Sequence, residues 1–122
     1  SLGSALAVML ASQRPVERLV LATPFDSLVE VARSHYPFLP VRWLMRDRYD
    51  AARHAPAVRA PVLAIIAAED EIIPPSRSAA LLEAFAPRQA RAVTIAGATH
   101  NTLDRSPAYL EAAATFVAAA GR

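Results

Sequence analysis

Three side chains in this sequence have the chemistry for acyl transfer: the hydroxyl of Ser1, the carboxylate of Asp70 and the imidazole of His100. Such transfer needs a hydroxyl to attack, a histidine to take its proton, and an acid to hold that histidine in the correct tautomer. Asp70 follows an unbroken apolar run, Val62 to Ala68, in a cluster of three acids closed by Pro74 and Pro75. His100 stands in the loop Gly97-Ala98-Thr99-His100-Asn101. Ser1-Leu2-Gly3 leads into a run of small residues, matching the second half of a G-x-S-x-G turn that exposes a serine at the start of a helix. Competing assignments exist. Glu69 or Glu71 could replace Asp70, and Ser4 could replace Ser1, although Leu2 and Leu6 stand where that turn wants small residues. We read Ser4 as a helix-packing serine, and His35 and His54 as surface or packing histidines.

The elements needed to position these groups can be read from periodicity and punctuation. Val62–Ala68 is entered through Pro61 and is too short for most helices, so it reads as a strand covered on both faces, as in a parallel sheet. Arg18–Thr23, stopped by Pro24, is a second such strand, and Ala90–Ala96 a weaker third. A helix is expected over the small apolar run Ser1–Ala11, ended by Gln13-Arg14-Pro15, where the all-round apolar pattern implies burial. Others should run from an Asp26 or Ser27 cap to about His35, from a Ser76 cap to Phe85 or Ala86, and from a Ser106 cap with Pro107 first to about Ala120. The alternation is that of an α/β domain: a three-stranded parallel sheet flanked by helices with right-handed crossovers. Carboxylates just past parallel strands lie on the edge where such sheets keep their sites, and both Asp70 and His100 occupy that edge. Residues 36–60, rich in proline and aromatics, read as an irregular, cap-like excursion with one short amphipathic piece from about Val41 to Tyr49. Within it Tyr36, Phe38, Trp43 and Met45 could line an acyl pocket or simply anchor the segment.

Composition removes several functions. With 122 residues, 54% of them hydrophobic, the chain is one domain with material for a real core. There is no cysteine, so disulfide, thiolate-zinc and thiol-nucleophile chemistry are absent. All 13 basic residues are arginine, and they are scattered over a chain of net charge +2 rather than arrayed as a nucleic-acid footprint. Asp26, Asp47, Asp50 and Asp104 form no metal-ligand spacing. No run approaches the ~20 apolar residues of a membrane span. The opening lacks the charged start of a signal peptide, and a cytoplasmic location is expected over secretion.

Taken together, Ser1-Leu2-Gly3-Ser4, then Ala68-Glu69-Asp70-Glu71-Ile72-Ile73-Pro74, then Gly97-Ala98-Thr99-His100-Asn101 resemble the C-terminal half of an α/β-hydrolase-fold serine hydrolase, in the branch of small esterases and acyl-peptidase-like enzymes. The order Ser, Asp, His is that family's order, and Pro24-Phe25 also fits the branch. The resemblance implies Ser1 as nucleophile, His100 as general base then acid, Asp70 as orienting carboxylate, and the Leu2 backbone N–H as one oxyanion donor. It implies a small-molecule acyl substrate (an ester, thioester or amide) and no cofactor. An N-terminal half is expected to be missing, since the chain opens directly on an apolar helix and lacks the first glycine of the turn. The alternative is a non-catalytic structural fragment that self-associates through an exposed strand edge, as a homo-oligomer.

Overall fold

A computed structural model describes residues 2–40 and 49–119. Helix α1 (Leu2–Gln13) leads to strand β1 (Leu19–Ala22), helix α2 (Leu28–His35), the short helix α3 (Ala51–His54) and a 3-10 turn over Ala55–Ala57. Strand β2 (Val62–Ala67), helix α4 (Pro75–Glu83), strand β3 (Ala90–Ile95), a second 3-10 turn (Leu103–Arg105) and helix α5 (Pro107–Ala118) complete the order. The three strands form one parallel sheet in the order β1-β2-β3, with Leu19 opposite Val62 and Val62 opposite Ala90. The expected α/β architecture is the one found.

β2 is central, and every one of its residues is buried. Its side chains alternate between two cores. Val62 joins Leu19, Leu21, Val8 and Leu81 on the face covered by α1, α3 and α4. Leu63, Ile65 and Ala67 join Ile95, Leu103 and Phe116 on the face covered by α5. This two-faced burial is why the run shows no alternation of apolar and polar residues. β3 is one of the two outer strands and is exposed over much of its length, which accounts for its weaker apolar signal.

Several local expectations change on inspection. Ser27, not Asp26, caps α2, its hydroxyl accepting the Glu30 N–H at 3.2 Å. Ser76 does not cap α4. The helix opens on Pro75 with Pro74 at the cap position, and Ser76 falls in the first turn, where a proline fits because its missing N–H would have no helical partner. α1 is not buried all round. Ala5, Val8 and Ala11 enter the core, whereas Leu6, Met9 and Leu10 face outward, because β1 and α3 cover only one side of the helix. Residues 51–58 of the proline-rich excursion pack inward, Ala51, Ala55 and Val58 all lying in the core beside α1. Its amphipathic piece, including Trp43 and Met45, falls within residues 41–48, outside the described residues.

Candidate active site

The carboxyl ends of β2 and β3 are stitched into one rim. Ala68 N–H donates to Ile95 O at 3.1 Å and Glu69 N–H to Ala98 O at 3.0 Å, locking the two loops that follow these strands. The β3 loop turns at Gly97, whose φ of +75° is the left-handed conformation that glycine adopts without strain. It is then fixed by Thr102, whose hydroxyl accepts the Thr99 N–H at 2.9 Å, and by the burial of Leu103. These constraints hold His100 over the end of β2.

There Asp70 and His100 meet. The His100 Nδ1–H donates to Asp70 Oδ2 at 2.9 Å. The other carboxylate oxygen, Oδ1, accepts the backbone N–H groups of Ile72 at 2.8 Å and Ile73 at 2.7 Å. Asp70 is thereby fully occupied, its side chain only 1% exposed, whereas the His100 side chain keeps 20% of its surface open. With Nδ1 bound to the acid, the proton sits on Nδ1 and Nε2 is the basic nitrogen, and Nε2 has no hydrogen-bond partner among the described residues. Glu69 and Glu71 are exposed, and the acid that meets His100 is Asp70. The dyad can therefore take a proton at one nitrogen while its carboxylate stabilises the imidazolium that results.

The amino end of α1 approaches the same rim. Ser4 is buried, and its hydroxyl donates to the carbonyl of Ala22, the last residue of β1, at 3.0 Å. Ser4 is thus a packing residue that fixes the start of α1 at the carboxyl edge of the sheet. Ser1 lies outside the described residues, and Leu2 is the first residue of α1.

Two groups near the rim make contacts that no local sequence pattern announces. His35, expected to be a surface or packing histidine, ends α2 and donates from Nε2 to the carbonyl of Ile72 at 2.7 Å. It thus holds from outside the same turn that Asp70 holds from within, and it ties the segment carrying the exposed Tyr36 and Phe38 to that turn. Asp26, just past β1, pairs through Oδ2 with Arg77 of α4 at 2.9 Å, and Glu30 of α2 joins the same guanidinium at 3.4 Å. Asp26 Oδ1 is buried without a partner among the described residues. Burial raises the Asp26 carboxyl pKa above its ordinary value, against the opposing pull of Arg77. Neither arrangement has a local sequence signal, since each joins residues more than thirty positions apart. Among the described residues no group of three or more metal-ligating side chains comes together, and no helix is long and apolar enough to cross a membrane.

No family model matches the chain. Over 101 residues it is 46% identical to an uncharacterized protein of Mycobacterium tuberculosis H37Rv, a match covering 83% of this chain and 36% of that protein. It is 31% identical over 117 residues to the alpha/beta hydrolase domain-containing protein aho-3 of Caenorhabditis elegans, covering 96% of this chain and 34% of that one. An acetyl xylan esterase from Paenibacillus sp. R4 superposes with a TM-score of 0.75 at 19% identity, over 98% of this chain and 43% of its own. The chain has the α/β-hydrolase fold. It spans about a third of the length of the curated relatives it matches. In an α/β-hydrolase sheet the carboxyl edge is where a strand-to-helix turn carries the nucleophile, and in this chain that edge holds Asp70, His100 and the start of α1.

Proposed function

We propose that this chain carries the acid–base machinery of a serine hydrolase that cleaves an ester, thioester or amide through an acyl-enzyme. The observation that carries this reading is the 2.9 Å hydrogen bond from His100 Nδ1 to a buried, doubly backbone-bonded Asp70. In the proposed sequence, Ser1 Oγ attacks the acyl carbon as His100 Nε2 takes its proton. Asp70 stabilises the imidazolium without itself becoming protonated. The Leu2 backbone N–H, at the start of α1, donates to the oxygen that gains charge. His100 then returns the proton to the departing alcohol, thiol or amine, and water repeats the cycle to release the acid and restore Ser1. Support comes from the approach of α1 to the Asp70 rim and from the hydrolase named among the relatives.

The test is covalent labelling of the full-length protein with a fluorophosphonate probe, located by mass spectrometry. Ser1 should carry the label, and His100→Ala should abolish both labelling and p-nitrophenyl acetate hydrolysis. A labelled protein with Ser1 unmodified would overturn the assignment.

A second reading is favoured by one observation. Among the described residues β1 stands at the edge of the sheet, and α1, which packs against it, leaves Leu6 and Leu10 exposed. On this reading the chain is a non-catalytic structural module that pairs with a second copy of itself along β1.

A further inference from the structure

The edge of the sheet opposite Asp70 and His100 is where the three strands begin, and it gathers arginines from five separate places in the sequence. Arg14 and Arg18 precede β1, Arg59 precedes β2, Arg88 precedes β3, and Arg91 lies within β3. Three adjoining cavities meet at Pro61. One of about 460 Å³ lies between Arg14 and Arg59, one of about 540 Å³ between Arg59 and Arg88, and one of about 350 Å³ is lined by Arg18, Arg88 and Arg91. Glu17, in the first cavity, is the sole carboxylate among the described residues lining them.

Two of these cations, Arg18 and Arg91, are held by packing on an aromatic ring, and no described carboxylate pairs with them. The guanidinium groups of Arg18 and Arg91 sit 4.8 and 5.9 Å from the centre of one ring, that of Phe116. Arg18 also donates to the Ala119 carbonyl at the end of α5 at 3.4 Å, and among the described residues no carboxylate pairs with either guanidinium. Gln89 fixes the other half of the site. Its side-chain amide donates to Val58 O at 2.6 Å and Ala60 O at 2.9 Å while its oxygen accepts the Ala86 N–H at 3.0 Å. This clamp holds the loop bearing Arg59 against the loop bearing Arg88. Arg88 itself adopts a φ of +67°, a conformation disfavoured for a residue with a side chain. An arginine there, beside an arginine pair that no described carboxylate neutralises, gives an anion guanidinium groups to bridge.

We propose that this amino edge of the sheet is a binding site for a polyanion bearing two or more phosphate groups, bridging Arg59 and Arg88 to the Arg18–Arg91 pair. Guanidinium forks match phosphate oxygens two at a time, and the adjoining cavities give room for linked phosphates rather than one. The same chemistry is offered by a soluble diphosphate and by a polyphosphorylated lipid headgroup. The site is independent of the hydrolase reading, since it lies at the other end of the strands.

Calorimetric titration with inorganic pyrophosphate, and sedimentation with phosphatidylcholine vesicles with or without phosphatidylinositol 4,5-bisphosphate, separate the two sources. Pyrophosphate binding tighter than inorganic phosphate assigns the soluble ligand; vesicle binding that needs the phosphorylated lipid, without pyrophosphate binding, assigns the headgroup. In either case R59A/R88A should weaken binding by roughly tenfold or more, with R33A, an arginine on α2, unchanged. Circular dichroism checks that the double variant is folded. For the unmodified protein, the bound probe should protect Arg59 and Arg88 from phenylglyoxal, read by mass spectrometry. Binding of neither probe, or binding indifferent to R59A/R88A and without protection, would overturn the proposal.

Discussion

Asp70 performs two tasks with two oxygens, and substitutions separate them. Asp70→Asn keeps an oxygen that can still accept from Ile72 and Ile73, but it presents an amide N–H to His100 Nδ1, which then has to take the other tautomer. On the proposed mechanism kcat should fall by about 10⁴-fold with little loss of stability, the behaviour of a catalytic histidine in the wrong tautomer. Asp70→Ala also strands the buried Ile73 N–H, and chemical denaturation should show a loss of about 1–3 kcal/mol that the asparagine variant avoids. Asp26 gives a prediction of a different kind. Its pKa is raised by burial, so the folded chain holds that proton more tightly than the unfolded chain does. Its contribution to stability is therefore present below the ordinary carboxylate pKa and is lost as pH rises through the higher folded value. Asp26→Asn cannot ionise. Its stability relative to the unsubstituted protein should increase as the pH is raised from about 3 to 6, measured by denaturant unfolding at each pH; a relative stability that stayed level or fell would contradict this.

At the scale of elements, the strands and the loops that follow them were legible because their signals are local. The Val62–Ala67 run, Pro61 before it and the acids after it announce a buried strand ending in a carboxylate. Gly97 before His100 announces the turn. What could not be read were features formed between elements: His35 on the Ile72 carbonyl, Asp26 with Arg77, and the five arginines at the strand starts. These require knowing which helices lie side by side. The assumption that an apolar α1 must be buried failed for the same reason, since its surroundings and not its composition decide which face is covered. The Gly97 turn yields a direct test. A Cβ there would meet nothing within 4 Å, so the cost of Gly97→Ala is the left-handed backbone alone. We expect about 1–2 kcal/mol of destabilisation by chemical denaturation, together with a shifted His100 ring resonance, because the same turn sets the path to His100. An unchanged stability would show that the turn relaxes freely.

The described residues form a sheet with a different chemistry at each end. Its carboxyl edge holds an imidazole and a carboxylate, its amino edge holds guanidinium groups, and β1 closes neither face nor edge beyond itself. An edge strand of Leu19-Val20-Leu21-Ala22 beside exposed Leu6 and Leu10 invites pairing. If the chain pairs with itself through β1, as the second reading holds, light scattering should detect a dimer or larger species whose population rises with concentration and falls in Leu10→Glu. A monomer at every concentration would remove the self-association reading. The central position of β2 has a different consequence. Its peptide groups are bonded to a neighbour on either side, and both its faces are covered, so in deuterated solvent its amides should be the last in the chain to trade hydrogen for deuterium. Asp70 hangs from the end of that slowest-opening segment. Fraying of α1 or of the outer strands would thus leave the acid at its post, and the imidazole's partner would be among the last features of the native state to disappear.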